Sequence, residues 1–198
     1  NNNILYAGGV SGGLFKSTNK GAFWYPVNDK QENLAVVSIC QTVNGSIYYG
    51  TGEGQFSCCD NGAEFSAIIG EGIFKSTDGT TFQQLTNTKQ FSTVNALAAD
   101  PVSNIVYAGT EQGLYCSEND GGTWKLLKSG SCREIKVATN RTVLAYIVPF
   151  VYRSTNGTDG TSYVAGIGFN TGARTAIAIS PQDPNYVYAM VAGNVTIT

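Results

Sequence analysis

Short runs of apolar and β-branched residues, each closed by a turn signal, follow one another along the chain. The run Val94-Asn95-Ala96-Leu97-Ala98 ends near the turn Asp100-Pro101, and Ala176-Ile177-Ala178-Ile179 ends at Ser180-Pro181. Apolar runs of this length, bounded by Gly, Pro, Asn and Asp, predict strands joined by tight turns. We therefore expect an all-β protein.

One phrase recurs and sets the organisation of the chain. Ile4-Leu5-Tyr6-Ala7-Gly8 precedes Gly13-Leu14-Phe15-Lys16-Ser17, and Ile105-Val106-Tyr107-Ala108-Gly109 precedes Gly113-Leu114-Tyr115-Cys116-Ser117. Between them, Ile47-Tyr48-Tyr49-Gly50-Thr51 precedes Gly72-Ile73-Phe74-Lys75-Ser76. Once an insertion between Gly54 and Ile69 is set aside, the final serines recur about every forty residues, which is the length of a four-stranded propeller blade.

The period predicts a β-propeller of four-stranded antiparallel blades, with about four and a half blades in this chain and the rest of a larger ring outside it. The first strand of each blade has small side chains because it fills the crowded centre. We place Tyr6, Tyr49, Tyr107 and Tyr188 at equivalent positions of the second strands. The predicted blade pieces are approximately 1–33, 34–90, 91–130, 131–173 and 174–198.

A turn of constant type follows each repeated serine. An Asn or Asp two residues later accepts backbone N–H bonds, a Gly adopts positive φ, and an aromatic residue packs the turn against its blade. We assign these residues a structural role and no catalytic one: Ser17, Asn19, Gly21, Trp24, Ser76, Asp78, Phe82, Ser117, Asn119, Gly121 and Trp124.

At these turns the chain resembles the Asp-box (BNR) repeat propellers, which include sialidases, sortilin-type receptors and xyloglucan hydrolases. The segment from Tyr49 to Gly54, its insertion, and the segment from Gly72 to Gly79 resemble secreted multi-blade proteins of bacteria such as the Bacteroidota. The resemblance implies a propeller fold and an extracellular or cell-surface location. It also implies that the repeated turns lie on the face opposite the usual ligand site.

Charge and composition restrict the classes of partner and cofactor that we expect. Charged residues are 13% of the chain and the net charge is -2, without a run of Lys or Arg, so we expect neither nucleic-acid binding nor membrane insertion. The longest apolar run, Val143 to Tyr152, contains Pro149 and is too short to cross a bilayer. Five Cys without His or paired C-x-x-C spacing disfavour a zinc site. We predict no metal and no cofactor.

The insertion is the one irregular feature of the repeat. It joins a second strand to a third strand, so it is expected to project from the ligand face. It combines carboxylates with aromatic rings, a mixture that suits a sugar or a peptide, although a loop that only covers the ring mouth is the alternative. The candidate ligand-binding residues are Glu53, Phe56, Asp60, Glu64, Phe65 and Glu71.

These observations favour a non-catalytic module that binds protein or glycan through the face bearing the 53–71 loop. One alternative is a glycoside hydrolase, which needs two positioned carboxylates. The remaining acids, Asp29, Glu32, Glu111 and Glu134, follow no motif, and Val10 stands where the resemblance to xyloglucan hydrolases would place an Asp. A further alternative is a structural scaffold within a longer chain or a larger surface assembly.

Overall fold

The computed structural model of the chain describes residues 3–27, 29–54, 68–166, 175–180 and 182–192. Within these residues the fold is nearly all β, with two single-turn 3-10 helices at Thr86–Thr88 and Gly160–Ser162. The strands are β1 (Leu5–Gly9), β2 (Gly13–Ser17), β3 (Tyr25–Pro26), β4 (Val36–Gln41), β5 (Ile47–Thr51), β6 (Ile73–Ser76), β7 (Gln83–Gln84), β8 (Val94–Ala99), β9 (Val106–Thr110), β10 (Gly113–Ser117), β11 (Lys125–Ser129), β12 (Cys132–Val137), β13 (Val143–Ile147), β14 (Phe150–Ser154), β15 (Val164–Ala165), β16 (Thr175–Ile179) and β17 (Val187–Val191).

Consecutive strands pair antiparallel, and each sheet is one blade. β4 to β7, β8 to β11 and β12 to β15 form three four-stranded blades, while β1 to β3 form a three-stranded blade and β16 with β17 a two-stranded one. The innermost strands β4, β8, β12 and β16 lie side by side in chain order. The predicted all-β propeller, with about four and a half blades in the chain, is confirmed.

The cores lie between neighbouring blades, where the blades approach very closely at one repeated glycine. A Cβ on Gly50 of the second blade would lie 2.5 Å from Cγ1 of Val94 on the inner strand of the third blade. A Cβ on Gly8 of the first blade would likewise lie 2.7 Å from Cγ1 of Val36 on the inner strand of the second blade. The glycine that ends the repeated tyrosine phrase is therefore the residue that allows sheet-to-sheet contact.

The register of the second strands corrects one sequence prediction. Tyr6 pairs with Lys16, Tyr48 with Lys75, and Tyr107 with Cys116. Tyr48, and not Tyr49, is thus the equivalent of Tyr6 and Tyr107, and the assignment of Tyr49 was wrong by one residue. Tyr49 points to the other face of the sheet, where its ring stacks on Phe74 at 4.9 Å between ring centroids. The Tyr48-Tyr49 doublet offered two alignments, and strand alternation selects the first.

The equivalent tyrosines hold the turn of the following blade. The Tyr6 hydroxyl donates to the carbonyl of Gly79 at 2.7 Å, and the Lys16 ammonium donates to the same oxygen at 2.8 Å. One blade further on, Tyr48 and Lys75 both donate to the carboxylate of Asp120, and Lys75 also donates to its carbonyl at 3.0 Å. Each of these two blades therefore binds its successor through a phenol and an ammonium.

The repeated turns share one internal hydrogen-bond pattern. The Ser117 hydroxyl accepts from the Gly121 N–H at 2.9 Å, and Asn119 Oδ1 accepts from the Thr123 N–H at 2.8 Å. The turn after Ser17 repeats these bonds at Gly21 and Phe23, both at 2.9 Å. In the shorter turn after Ser76, Asp78 Oδ1 accepts from the N–H groups of Thr80 and Thr81, each at 2.7 Å.

The aromatic residue that ends each turn is buried to different extents. Phe82 is 8% exposed, and Trp124 packs edge-on to Phe91 with 6.2 Å between centroids. Trp24 is 37% exposed. Because consecutive strands alternate in direction, all these turns lie at one edge of the blades, and the 53–71 loop leaves from the opposite edge.

We predict that Tyr48→Phe lowers the free energy of unfolding by about 1 to 2 kcal/mol, because Asp120 loses the hydroxyl that donates to its carboxylate. Urea unfolding followed by tryptophan fluorescence measures this change. Tyr188→Phe is the matched control, since Tyr188 has the same register position but is 64% exposed. Equal effects of the two substitutions would contradict the inter-blade role of the hydroxyl.

Acid should destabilise the turn that contains Asp78. The N–H groups of Thr81 and Thr80 hold the pKa of the Asp78 carboxyl well below its usual value. A carboxyl whose pKa is lowered by folding contributes stability above its unfolded pKa of about 4 and loses it as the pH falls through the folded pKa. We expect Tm to fall below about pH 4, and Asp78→Asn, which introduces the residue found at Asn119, to reduce that fall. A Tm profile between neutral and acidic pH that is identical for both proteins would refute this.

Candidate functional site

The base of the 53–71 loop is closed by a two-residue antiparallel bridge. The Glu53 N–H donates to the Ile68 carbonyl at 2.9 Å, and the Ile68 N–H donates to the Glu53 carbonyl at 3.0 Å. Of the predicted ligand-binding residues, Glu53 and Glu71 belong to this base. The others, Phe56, Asp60, Glu64 and Phe65, lie outside the described residues.

Ile69 and Gly70 of the base are tied to the segments that lead into the second and third blades. The Gly70 N–H donates to the carbonyl of Ser92, in the connection that leads into the third blade, at 2.6 Å. The Asn33 side-chain amide donates to the Ile69 carbonyl at 2.6 Å. The base is thus fixed to the inner ends of two blades, while Ile68 and Ile69 remain 43% and 73% exposed.

The backbone of Glu71 is held on the loop side of the second blade. Its N–H donates to Thr51 Oγ1 at 2.8 Å, and its carbonyl accepts from the Gln84 side chain at 2.8 Å. These contacts fix the main chain of Glu71 and do not involve its partly exposed carboxylate. Glu53 is also partly exposed, so both predicted carboxylates reach the surface around the loop base.

A polar niche that sequence reasoning missed lies beside Gly54. A Cβ on Gly54 would meet Glu111 Oε1 at 2.9 Å, Thr93 Oγ1 at 3.3 Å and Asn95 Oδ1 at 3.4 Å. The Asn95 amide donates to Glu111 Oε1 at 2.9 Å and to the Cys132 carbonyl at 3.2 Å. We call the group formed by Gly54, Thr93, Asn95 and Glu111 the Gly54 niche.

Two oxygens of the niche are buried without a donor. Thr93 and Asn95 are 3% and 8% exposed, and neither Thr93 Oγ1 nor Asn95 Oδ1 has a hydrogen-bond partner among the residues that the structure describes. The Asn95 amide nitrogen is already engaged twice, so its oxygen remains the atom that faces Gly54. An unsatisfied buried polar group costs about 1 to 3 kcal/mol, so two such oxygens side by side call for a physical explanation.

A β-bulge presents Asn95 to the niche. Val94 pairs with Thr110 and Ala96 with Gly109, so Asn95 is the extra residue of the inner strand and has no cross-strand partner. The inner strands of the second and fourth blades have bulges at the same place, where Val37 and Arg133 are the extra residues. Bulges re-aim side chains and are frequent beside functional sites.

The sequence held a weak signal for Glu111. Glu53 follows Gly50-Thr51-Gly52, and Glu111 follows Gly109-Thr110, so an acid follows a Gly-Thr pair at the end of two successive second strands. By motif alone Glu111 is one of several scattered acids. The structure places the Glu111 carboxylate beside Gly54, the residue that directly follows Glu53. Glu53 and Glu111 themselves come from neighbouring blades.

Clefts also lie at the edge that carries the repeated turns. One of about 450 Å³ is lined by Lys75, Asp78 and Gln84, among others, and one of about 210 Å³ lies between Tyr6, Lys16 and Gly79. These clefts are open and polar, and several of their side chains already serve the inter-blade contacts described above. Within the described ranges, no three or more His, Cys, Asp or Glu side chains are grouped closely enough to hold a metal ion, and no helix is long and apolar enough to span a membrane.

Comparison with solved structures shows the fold. An ancestral GH74 enzyme matches with a TM-score of 0.69 and 21% identity over 99% of this chain and 29% of that chain. YCF48 bound to D1 peptide matches with a TM-score of 0.65 and 13% identity over 98% of this chain and 60% of that one. The extracellular domain of a B. thetaiotaomicron protein described as a one component system matches with a TM-score of 0.60 and 20% identity over 83% of this chain and 21% of that one.

Similarity at this level of identity shows a shared propeller architecture and nothing finer. The chain spans less than two thirds of each of these three structures. No protein-family model and no curated protein matches the sequence.

We predict that Gly70→Ala lowers the free energy of unfolding by about 1 to 3 kcal/mol, because a Cβ there would lie 2.3 Å from the Thr51 carbonyl oxygen and the loop base would have to move. Gly9→Ala is the control, since its Cβ would meet nothing closer than 3.6 Å. Chemical unfolding of both variants measures the difference. A Gly70→Ala protein as stable as the control would show that the loop base is not held by this contact.

Proposed function

We propose that the chain is a non-catalytic propeller module of the Asp-box type, secreted or attached to the cell surface, that binds protein or glycan through the face bearing the 53–71 loop. The observation that carries the proposal is the Gly54 niche, in which two buried oxygens have no hydrogen-bond partner among the described residues and lie beside the partly exposed Glu111. A site with this composition has hydrogen-bonding capacity left for a ligand.

Two structural neighbours support the proposal by analogy. One is a propeller described as bound to a peptide, and another is the extracellular domain of its protein. The repeated turns of this chain, with their Ser, Asn or Asp and Gly hydrogen bonds, support the Asp-box assignment. The partners we propose are a protein or glycan ligand, or the rest of a larger surface assembly, without nucleic acid, membrane insertion or a cofactor.

One observation favours a second candidate, a glycoside hydrolase. Glu53 and Glu111 come from adjacent blades and flank Gly54, and a hydrolase needs one protonated and one ionised carboxyl group on opposite sides of a glycosidic bond. The GH74 enzyme among the structural neighbours fits this alternative. We favour binding because Glu111 belongs to no acid motif and Val10 stands where the resemblance to xyloglucan hydrolases would place an Asp.

The decisive binding experiment replaces residues 55–67 with a short Gly-Ser linker that keeps the Glu53–Ile68 bridge. We expect Tm to stay within about 2 °C of the wild type, because the hydrogen bonds of the loop base are retained. Labelled wild-type protein should bind members of a glycan array or a peptide array, and the shortened protein should lose that binding. The Gly70→Ala protein serves as a control for a disturbed base with an intact loop.

Two outcomes would overturn the proposal. Unchanged array binding after loop replacement would exclude the loop, and a large fall in Tm would show that the loop belongs to the core. Release of reducing sugar from a polysaccharide panel, abolished by Glu53→Gln or Glu111→Gln, would instead establish the hydrolase.

A further inference from the structure

We propose that the Gly54 niche binds the ammonium or guanidinium group of a basic side chain presented by a protein partner, with Glu111 as the counter-ion. This inference rests on the proposed binding function and specifies its ligand chemistry. It concerns the base of the loop and depends only on described residues.

The oxygens of the Gly54 niche require a ligand that donates hydrogen bonds. The carboxylate of Glu111 and the free oxygen of Asn95 can only accept, and the Thr93 hydroxyl can accept as well. The two N–H groups of the Asn95 amide donate to Glu111 Oε1 and to the Cys132 carbonyl, so Asn95 has no donor left for a ligand. A ligand group with several N–H donors satisfies all three oxygens together, and a lysine or arginine side chain carries three to five such donors.

Charge on the same edge favours a cation. The described loops on the ligand side carry Asp29, Glu32, Glu53, Glu71 and Glu111, while the basic residues of those loops and of the adjoining bulge are Lys30, Lys89 and Arg133. Acids therefore exceed bases around the mouth. Arg133 follows Cys132, whose carbonyl accepts from Asn95, and the Arg133 Nε donates to Ser131 Oγ at 3.2 Å. In the described part of the chain Glu111 forms no ion pair.

A peptide fits this site better than a sugar. The four residues of the niche contain no aromatic ring, which is the platform on which sugars usually stack. A carboxylate that is held by Asn95 and partly withdrawn from water gains most from a partner of opposite charge. The fixed Glu111 would orient the cation, and Asn95 and Thr93 would complete its coordination by hydrogen bonds.

The test measures fluorescence anisotropy of a labelled peptide in which Lys alternates with Gly, added to the 198-residue chain at low ionic strength. The same peptide with acetylated lysines keeps the length and removes the charge, and an Arg-Gly peptide supplies the guanidinium. We expect both charged peptides to bind with salt-dependent affinity and the acetylated peptide to bind at least about tenfold more weakly.

Glu111→Gln should weaken binding of the charged peptides about tenfold, whereas Glu118→Gln, an exposed acid at the turn edge, should change the affinity less than about twofold. The acetylated peptide on the wild-type protein gives a readout that does not depend on the folding of a variant. Equal binding of charged and acetylated peptides, or equal effects of the two substitutions, would overturn the inference.

Other outcomes separate this inference from the proposed function. Array binding that is lost on loop replacement but insensitive to Glu111→Gln would keep the binding module and refute the cation site. Glycan binding that Glu111→Gln abolishes, without binding of the charged peptides, would assign the niche to a sugar and refute a basic peptide. Failure of every array and every peptide to bind the wild-type chain would refute both.

Discussion

The geometry of this propeller depends on a contact between successive blades, in which a tyrosine hydroxyl and a lysine ammonium from one blade converge on the turn of the next. Two donors meet on one turn, so successive blades are held together by hydrogen bonds as well as by the apolar cores. The third blade keeps the phenol but has Cys116 in place of the lysine, and Tyr107 lies directly against Gly157, where a Cβ would be 2.4 Å from its hydroxyl. The tyrosine also lies directly against the turn glycine where the lysine is present, at Tyr6 and Gly79, so this close packing is the part of the contact that both blades share.

The second constraint is the distance between sheets at the ring centre. Each of the first three blades meets the inner strand of the next at a glycine, and the space that its Cβ would need is taken by Val36 beside Gly8, Val94 beside Gly50 and Cys132 beside Gly109. This contact explains why glycine closes the repeated phrase. It also brings the ends of neighbouring second strands together, which is the reason that Glu53 and Glu111 flank the same glycine although more than one blade length separates them in sequence.

The sequence predicted the parts of the structure that repeat, and failed where one copy departs from the others. The repeated phrase around Tyr6 and Tyr107 was sufficient to predict the blades, because strand alternation and turn chemistry are determined by residues close together in the sequence. Tyr49 was assigned in place of Tyr48 because either tyrosine of the doublet can be aligned with the tyrosine of the repeated phrase. Asn95 resembles an ordinary inner-strand residue in the sequence, because a bulge depends on how two strands pair and leaves no local mark. The ligand-binding roles of Glu53, Phe56, Asp60, Glu64, Phe65 and Glu71 stay predictions.

The bulges of the inner strands show that residue type can differ between blades at a position where the backbone is the same. Val37, Asn95 and Arg133 occupy the same place in three blades, yet one is apolar, one a neutral amide and one a cation. A bulged residue lies outside the Cα pairing of the residues on either side, so the cross-strand pairing rules that restrict those residues do not apply to it. The three blades keep an equivalent register around the bulge while its residue type changes, so one backbone device carries different chemistry in each blade.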